Sequence, residues 1–254
     1  MPASLAIPEF TAPCLLAADE VHIWLLDIPQ FTQAQRDTAL QIMDRSELTR
    51  AETFKRGKQE YIACRWLLRN GLAYYTGTAA DKLQFQRSDK GKPYLAQSDI
   101  QFSLSHSGHW GVLAVSEGDA VGIDLEAIQS QRNILRIAQH YYHPTELTQL
   151  LGLQAADQVD YFYRLWTLKE AFFKALGSGL SAGLDKVAFD LNGDNINASI
   201  DASLKAGADW RFRQWSLTPE VYCALARASA KAEQLSHKKL HTKWFDALAS
   251  PAFS

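Results

Sequence analysis

The chain runs twice through one order of elements: an apolar strand-like run, then helices, then several short strands. The first pass opens at Val21–Ile28 (VHIWLLDI) and continues with helical stretches at roughly 33–44 and 46–75, the second closed by Gly71 as its C-cap. The strand-like runs LQFQR, PYL, IQFSLS and WGVLAVS follow, with SDKGKP marked as a turn by its Gly and Pro. The second pass opens at Val121–Ile128 (VGIDLEAI), with helices predicted at about 133–141, 144–152 and 155–177, the last ending at Gly177. KVAFDL, INASID, WRFRQWSL and VYCALAR then read as strands. WLLDI matches VGIDLE in place, and CRWLLRNG matches the end of the long helix RLWTLKEAFFKALG. The expectation is an α+β fold of two similar α/β subdomains in a pseudo-two-fold arrangement, 1–117 and 118–254, with the active site between them. The boundary falls near Ser116–Asp119, without a low-complexity linker. The tail, KAEQLSHKKLHTKWFDALAS, reads as one amphipathic helix packed on the body.

Composition narrows the function classes. With 47% apolar and 21% charged residues, a 254-residue chain can bury real cores. The net charge of -2 gives no footprint for a polyanion, so phosphate groups would need a local basic cluster and nucleic acid is not an expected partner. No run approaches the ~20 apolar residues of a membrane span. The first twenty residues lack a basic n-region and do not read as a secretion signal. Cys14, Cys64 and Cys223 are scattered and form no CxxC pair, which suits reduced, buried thiols in the cytoplasm.

In VGIDLEAI, Gly122, Asp124 and Glu126 alternate with Val121, Ile123 and Leu125. Residues i and i+2 of a strand share a face, under ~7 Å apart. Two carboxylates side by side repel unless a cation neutralises them or one takes a proton, and a hard divalent ion suits such oxygen donors. Alone, the D-x-E pair reads as a solvated strand face. The long helix changes that balance. Phe162, Leu165, Trp166, Phe172, Phe173 and Leu176 form one apolar stripe with Lys169 in its middle, Glu170 on its flank and Lys174 one turn beyond Glu170. A buried cation needs an anion. Two readings stand: the helix carries Lys169, Glu170 and Lys174 toward something charged, or Lys169 snorkels and Glu170 pairs with Lys174 at the surface.

Basic and hydroxyl groups gather elsewhere. Arg87, Lys90 and Lys92 surround a Gly/Pro turn. In FSLSHSGHWGVLAV, Ser103, Ser105 and Ser107 alternate with Phe102, Leu104 and His106, and Gly108 permits a tight turn. A His flanked by serines at a strand end can bind phosphate or serve structure. Arg65 and Arg69 lie a turn apart, one expected to reach a site and the other solvent.

Together, VGIDLE followed some 40 residues later by LWTLKEAFFKALG resembles the two signature motifs of the 4'-phosphopantetheinyl transferase superfamily, and FSLSHSGHW and KGKP look like its N-terminal phosphate-binding motifs. The resemblance covers roughly residues 50–230, and the length is similar to the surfactin-synthetase-activating type, in which one chain holds both halves. It implies a monomeric enzyme that transfers the 4'-phosphopantetheine arm of coenzyme A to a serine of an apo acyl or peptidyl carrier protein. By the same resemblance Asp124, Glu126 and Glu170 hold Mg²⁺ (or Mn²⁺), Glu170 is the base, and Lys174 contacts the pyrophosphate. His106 with Ser105, and Lys92, Arg87 and Arg65, bind the nucleotide, and Lys169 is a neutralising partner of the acidic cluster. The segment RAETFKRGKQEYIACR departs from the pattern by about two residues, leaving open which of Arg50, Lys55 and Arg56 meets the 3'-phosphate. RNILRIAQHYYHP, with Arg132, Arg136, Tyr141 and Tyr142, is the expected carrier dock. A metal-dependent nuclease would want an E-x-K or D-x-K strand, which LQFQR, IQFSL and VAFDL do not offer. A non-catalytic coenzyme A or carrier-binding module could dispense with Glu170 and Lys174.

Overall fold

The computed structural model describes residues 14, 16–17, 19–179, 183–191, 196–204, 207–229 and 240–249. In chain order the strands are β1 (Glu20–Asp27), β2 (Phe85–Arg87), β3 (Pro93–Leu95), β4 (Ile100–Ser107), β5 (Trp110–Glu117), β6 (Val121–Ala127), β7 (Val187–Asp190), β8 (Asn197–Ile200), β9 (Asp209–Thr218), β10 (Val221–Ser229) and β11 (His241–Asp246). The helices are α1 (Gln33–Ile42), α2 (Arg45–Thr53), α3 (Lys58–Thr76), α4 (Ile134–Tyr141), α5 (Pro144–Gly152) and α6 (Ala155–Leu176). Contacts divide the chain into two compact units that part between Gly118 and Asp119. Two segments leave the linear division expected from sequence: Ser88–Lys92 groups with the second unit, and the described residues 240–249 group with the first.

In the first unit, a four-stranded sheet is ordered β11-β1-β5-β4. The β1-β5 and β5-β4 pairs are antiparallel, and α3 packs on β4 and β5. Its core is built on Trp24, Leu26, Phe31, Trp66, Leu67 and Leu72. The helical stretch expected over 46–75 is two helices. Asp44 caps α2 through a capping box with Glu47, and the chain breaks before Gly57, whose φ of 79° is left-handed. Gly71 is not a cap: α3 runs through it, buried, and ends at Gly77 (φ 67°), whose N–H donates to the Ala73 carbonyl at 2.9 Å. Of the tail read as one helix, residues 231–239 and Ser250 lie outside the described residues. Residues 241–246 form β11, parallel to β1. The aromatic pair Trp244 and Phe245 is buried, and Phe245 stacks on Trp24 at 4.8 Å. A strand edge and an aromatic platform outweigh the weak helical pattern of this short run.

In the second unit, a three-stranded antiparallel sheet is ordered β6-β10-β9. Both sheets thus set the first strand of a pass beside its last long strand, which pairs in turn with the one before. The 22-residue α6 packs on β6 and β10, and its Phe162, Leu165, Phe172 and Phe173 form the core with Tyr222 and Ala224. It ends as α3 does, at a left-handed glycine: Gly177 (φ 68°) donates to the Phe173 carbonyl at 2.9 Å.

The repetition extends to buried charge. Arg69, fully buried in α3, binds Glu47 (2.7 Å) and Asp44 (2.9 Å) and donates to the Ala80 and Leu83 carbonyls. Lys169, fully buried in α6, binds Glu146 at 2.7 Å and donates to the Leu184 and Val187 carbonyls. Each glutamate also closes the capping box of the helix before, α2 or α5. Sequence placed one of Arg65 and Arg69 at a site and the other in solvent; Arg69 instead ties a helix to a loop from inside.

Strand β6 is enclosed on both faces, since Val121, Ile123, Leu125 and Asp124 are all buried. The close face is Gly122. A Cβ built there would overlap the Ala171 carbonyl oxygen and the Ala175 amide nitrogen and stand 3.0 Å from Ala175 Cα. Backbone on both sides leaves nothing to rotate away. Gly122→Ala is therefore expected to cost about 3 kcal/mol or more, beyond the usual overpacking range, as read by urea denaturation.

Candidate active site

Because β6 lies so near α6 at Gly122, the next two residues on that face, Asp124 and Glu126, meet the helix too. The partners they meet are spaced by four residues along one stripe of α6: Trp166, Glu170 and Lys174. Lys174 Nζ lies 2.6 Å from Asp124 Oδ1. Trp166 Nε1 donates to Glu126 Oε1 at 3.1 Å, and Arg132 Nη1 stands 3.4 Å from Glu126 Oε2. Glu170 sits in the same charge cluster. Burial first, and then the nearby Asp124 charge, raise its carboxyl to about 7, Glu126 pushing the same way and Lys174 and Arg132 offsetting part. Glu126 is also raised, by burial and then by Asp124. Three acids thus crowd one partly dry region.

Lys169, one residue before Glu170, does not join them. One step along a helix is about 100°, enough to turn its ammonium away from β6 and onto Glu146. It is a structural tie rather than a neutralising partner of the acidic cluster. Nor do Glu170 and Lys174 form an isolated surface pair, because Lys174 is taken by Asp124.

The donor set suits a hard divalent cation: carboxylate oxygens only, from a strand and a helix, with mutual repulsion already raising two of the three acids. As the side chains stand, no group of three or more His, Cys, Asp or Glu among the described residues is arranged to hold a metal ion. The cation at Asp124 is the Lys174 ammonium. A metal would fit by chemistry, with the carboxylates drawing together around it.

The other predicted residues are distributed as follows. Lys92 belongs with the second unit. It donates to the Ala175 (2.8 Å) and Val121 (3.3 Å) carbonyls and so caps the end of α6, where burial pulls its ammonium down to about 8. Arg65, Arg87, Ser105 and His106 belong to the first unit. Arg65 lies over the Tyr61 ring and 3.6 Å from Glu47, while Arg87 is exposed. Ser105 is buried and His106 exposed, on opposite faces of β4, near the tight turn at Gly108 (φ 57°). In the expected carrier dock, Arg136 and Tyr141 are exposed but Tyr142 is buried, its hydroxyl donating to the Phe162 carbonyl at 2.6 Å. Arg132 turns to Glu126 and the α6 rings. Trp166 was not read as a site residue, and Arg132 was assigned to the carrier dock rather than to the acidic cluster. The four-residue spacing from Trp166 to Glu170 was the available signal for the first, and no sequence spacing marked the second.

Two family models match. Residues 120–226 match the 4'-phosphopantetheinyl transferase superfamily, and residues 29–118 match the 4'-phosphopantetheinyl transferase N-terminal domain. The 4'-phosphopantetheinyl transferase HetI of Nostoc sp. is 31% identical over 221 residues, 85% of this chain and 90% of that protein. The chain belongs to the 4'-phosphopantetheinyl transferase superfamily. Other relatives match over less of their length. A Synechocystis sp. protein is 34% identical over 59% of this chain and 63% of its own. The transferase Sfp of Bacillus subtilis is 37% identical over 44% of this chain, which spans about half the length of that relative. Among solved structures, the Thermotoga maritima holo-[acyl-carrier-protein] synthase aligns over 43% of this chain and 62% of its own, with 22% identity and a TM-score of 0.35. No helix of the described residues is long and apolar enough to cross a membrane, and none of the three cysteines forms a disulfide, Cys64 and Cys223 being buried and Cys14 only half-buried.

Two outcomes follow for the phosphopantetheinyl transferase frame. Removing one partner of the buried Lys169–Glu146 pair strands a charge, so Glu146→Ala and Lys169→Met should each cost about 3–5 kcal/mol. The double variant should cost less than the two together, as a denaturation cycle would show. Glu170 behaves differently because its folded-state pKa is raised. Between about 4.5 and about 7 the folded protein keeps a proton that the unfolded chain gives up. Without added metal, wild type should therefore lose stability relative to Glu170→Gln as pH rises through that window, with a constant gap above it, in melting curves run across pH.

Proposed function

We propose that this chain moves 4'-phosphopantetheine from coenzyme A to a serine hydroxyl of an apo acyl or peptidyl carrier protein, releasing adenosine 3',5'-bisphosphate, in the presence of Mg²⁺. The observation that carries this reading is the facing of Asp124 and Glu126 on β6 by Glu170 and Lys174 on α6, in a chain of this family. Asp124, Glu126 and Glu170 would hold the Mg²⁺, which when bound offsets charge on the pyrophosphate. Glu170 supplies the base. A serine hydroxyl needs a proton acceptor, and a carboxylate projecting from α6 beside Asp124 and Lys174 can take that role. Lys174 supplies positive charge beside the leaving phosphate once its bond to Asp124 is exchanged. His106, Ser105, Arg65 and Arg87 are assigned to the phosphates and nucleotide of coenzyme A by family resemblance, and Lys92 by the same resemblance, although its ammonium is already engaged by two carbonyls. The free thiols suit a reducing compartment, and we place the protein in the cytoplasm, acting as a single chain without nucleic acid or membrane partners.

Intact-mass measurement of an apo carrier protein, incubated with coenzyme A, Mg²⁺ and this protein, should show the gain of one phosphopantetheine, lost on chelation. Asp124→Ala and Glu170→Gln should each reduce turnover by ~10² or more. A panel of fatty-acid, polyketide and peptide-synthetase carriers left unmodified, or near-normal rates in both variants, would overturn the assignment.

A further inference from the structure

Arg132 stands in the connection between β6 and α4, and its backbone is fixed there. Its N–H donates to the Gln129 carbonyl (3.0 Å), its carbonyl accepts from Ile134 N–H (2.9 Å), and Gln129 N–H donates to the Tyr163 hydroxyl of α6 (2.8 Å). The guanidinium lies over three rings of α6, with centroids at 4.9 Å (Trp166), 5.7 Å (Tyr163) and 5.8 Å (Phe162). From that platform Nη1 is 3.4 Å from Glu126 Oε2. The second oxygen of the same carboxylate, Oε1, takes the hydrogen bond of Trp166 Nε1. Both oxygens of Glu126 are therefore engaged, Oε1 by the hydrogen bond from Trp166 and Oε2 by an ion contact with Nη1, which itself forms no hydrogen bond among the described residues.

A surface ion pair of two mobile side chains adds little to stability, and this one is not built that way. The three surrounding rings fix the position of the guanidinium. Each carboxylate oxygen has a second lone pair, so the clamp leaves Glu126 acceptor capacity on the face it shares with Asp124. The arrangement is that of an outer group orienting a ligand. We infer that Arg132 is a positioning residue which, together with Trp166, presets the Glu126 carboxylate for a divalent cation. This rests on the metal reading proposed above. Charge alone predicts the opposite sign, because a guanidinium beside the site repels a dication and its removal would tighten binding.

The experiment is Mn²⁺ titration of the apoprotein, free Mn²⁺ being read by electron paramagnetic resonance with no coenzyme A or carrier present. Arg132→Met should weaken Mn²⁺ binding by about 10- to 100-fold. Arg132→Lys should fall between wild type and Arg132→Met, since a point ammonium keeps the charge but cannot at once fill the space over the rings and reach the carboxylate. Trp166→Phe, which keeps the ring and removes the N–H, should also weaken binding. Melting temperatures monitor the fold, and if Arg132→Met does not fold, Arg132→Lys and Trp166→Phe decide. Wild-type or tighter Mn²⁺ affinity in the folded variants overturns this inference and leaves the metal reading intact. A wild-type protein that takes up no Mn²⁺ removes the metal reading and this inference with it.

Discussion

The approach of β6 to α6 at Gly122 determines what the second unit can do. With no side chain between strand and helix, the two backbones come close enough for Asp124 and Glu126 to share one partly dry region with Glu170 and Lys174. Any larger residue at 122 would prop the elements apart and return the acids to water, where the carboxyl groups of Glu126 and Glu170 would lose the upward push of burial. The burial and crowding that raise Glu170 are thus consequences of backbone packing, and the buried apolar stripe of α6 holds the helix down against the repulsion.

The first unit shows what the same frame does without the acids. Val21 and Val121 stand at corresponding places near the starts of β1 and β6, Trp66 and Trp166 sit alike in α3 and α6, Arg69 and Lys169 are the buried ties, and Gly77 and Gly177 end the helices. In that correspondence His22, Trp24 and Leu26 occupy the places of Gly122, Asp124 and Glu126, and Asn70 and Tyr74 those of Glu170 and Lys174. Trp24 and Leu26 are fully buried and belong to the core. One architecture therefore serves as packing in the first pass and as a charged site in the second, according to the residues on a single strand face and a single helix stripe.

Period 2 on β6 and period 3.6 on α6 assigned the acids and Lys174 to faces without knowledge of the partner but left a solvated face and a surface pair as alternatives, between which the family resemblance chose. The doubled order was legible from the same periods. Lys169 was not, because its partner Glu146 lies on another helix and carries a local explanation of its own as a capping-box residue. Arg69 and Glu47 hid in the same way. The break between α2 and α3 depended on a left-handed Gly57 in a charged stretch of good helix formers, where propensity favours continuation. The strand at 241–246 depended on an open edge of β1, a partner far away in sequence. Arg132 required three rings from α6 to be assembled around a connection that sequence alone leaves unplaced.

Those hidden ties bear on the chemistry through rigidity. Helix α6 is anchored in its middle by Lys169, which grips Glu146 and two loop carbonyls, and at its end by Lys92, whose ammonium binds the Ala175 carbonyl. Between and beside these anchors lie Glu170 and Lys174. A charged group on a helix pinned at two points loses little further freedom when it engages a ligand, and an acid already crowded by its neighbours relaxes when a cation arrives. The frame thus holds the acids together against their repulsion and fixes the backbone against the easiest way of relieving it, which would be to let the helix move. Relief by rearranging side chains remains available, beginning with exchange of the Lys174–Asp124 pair.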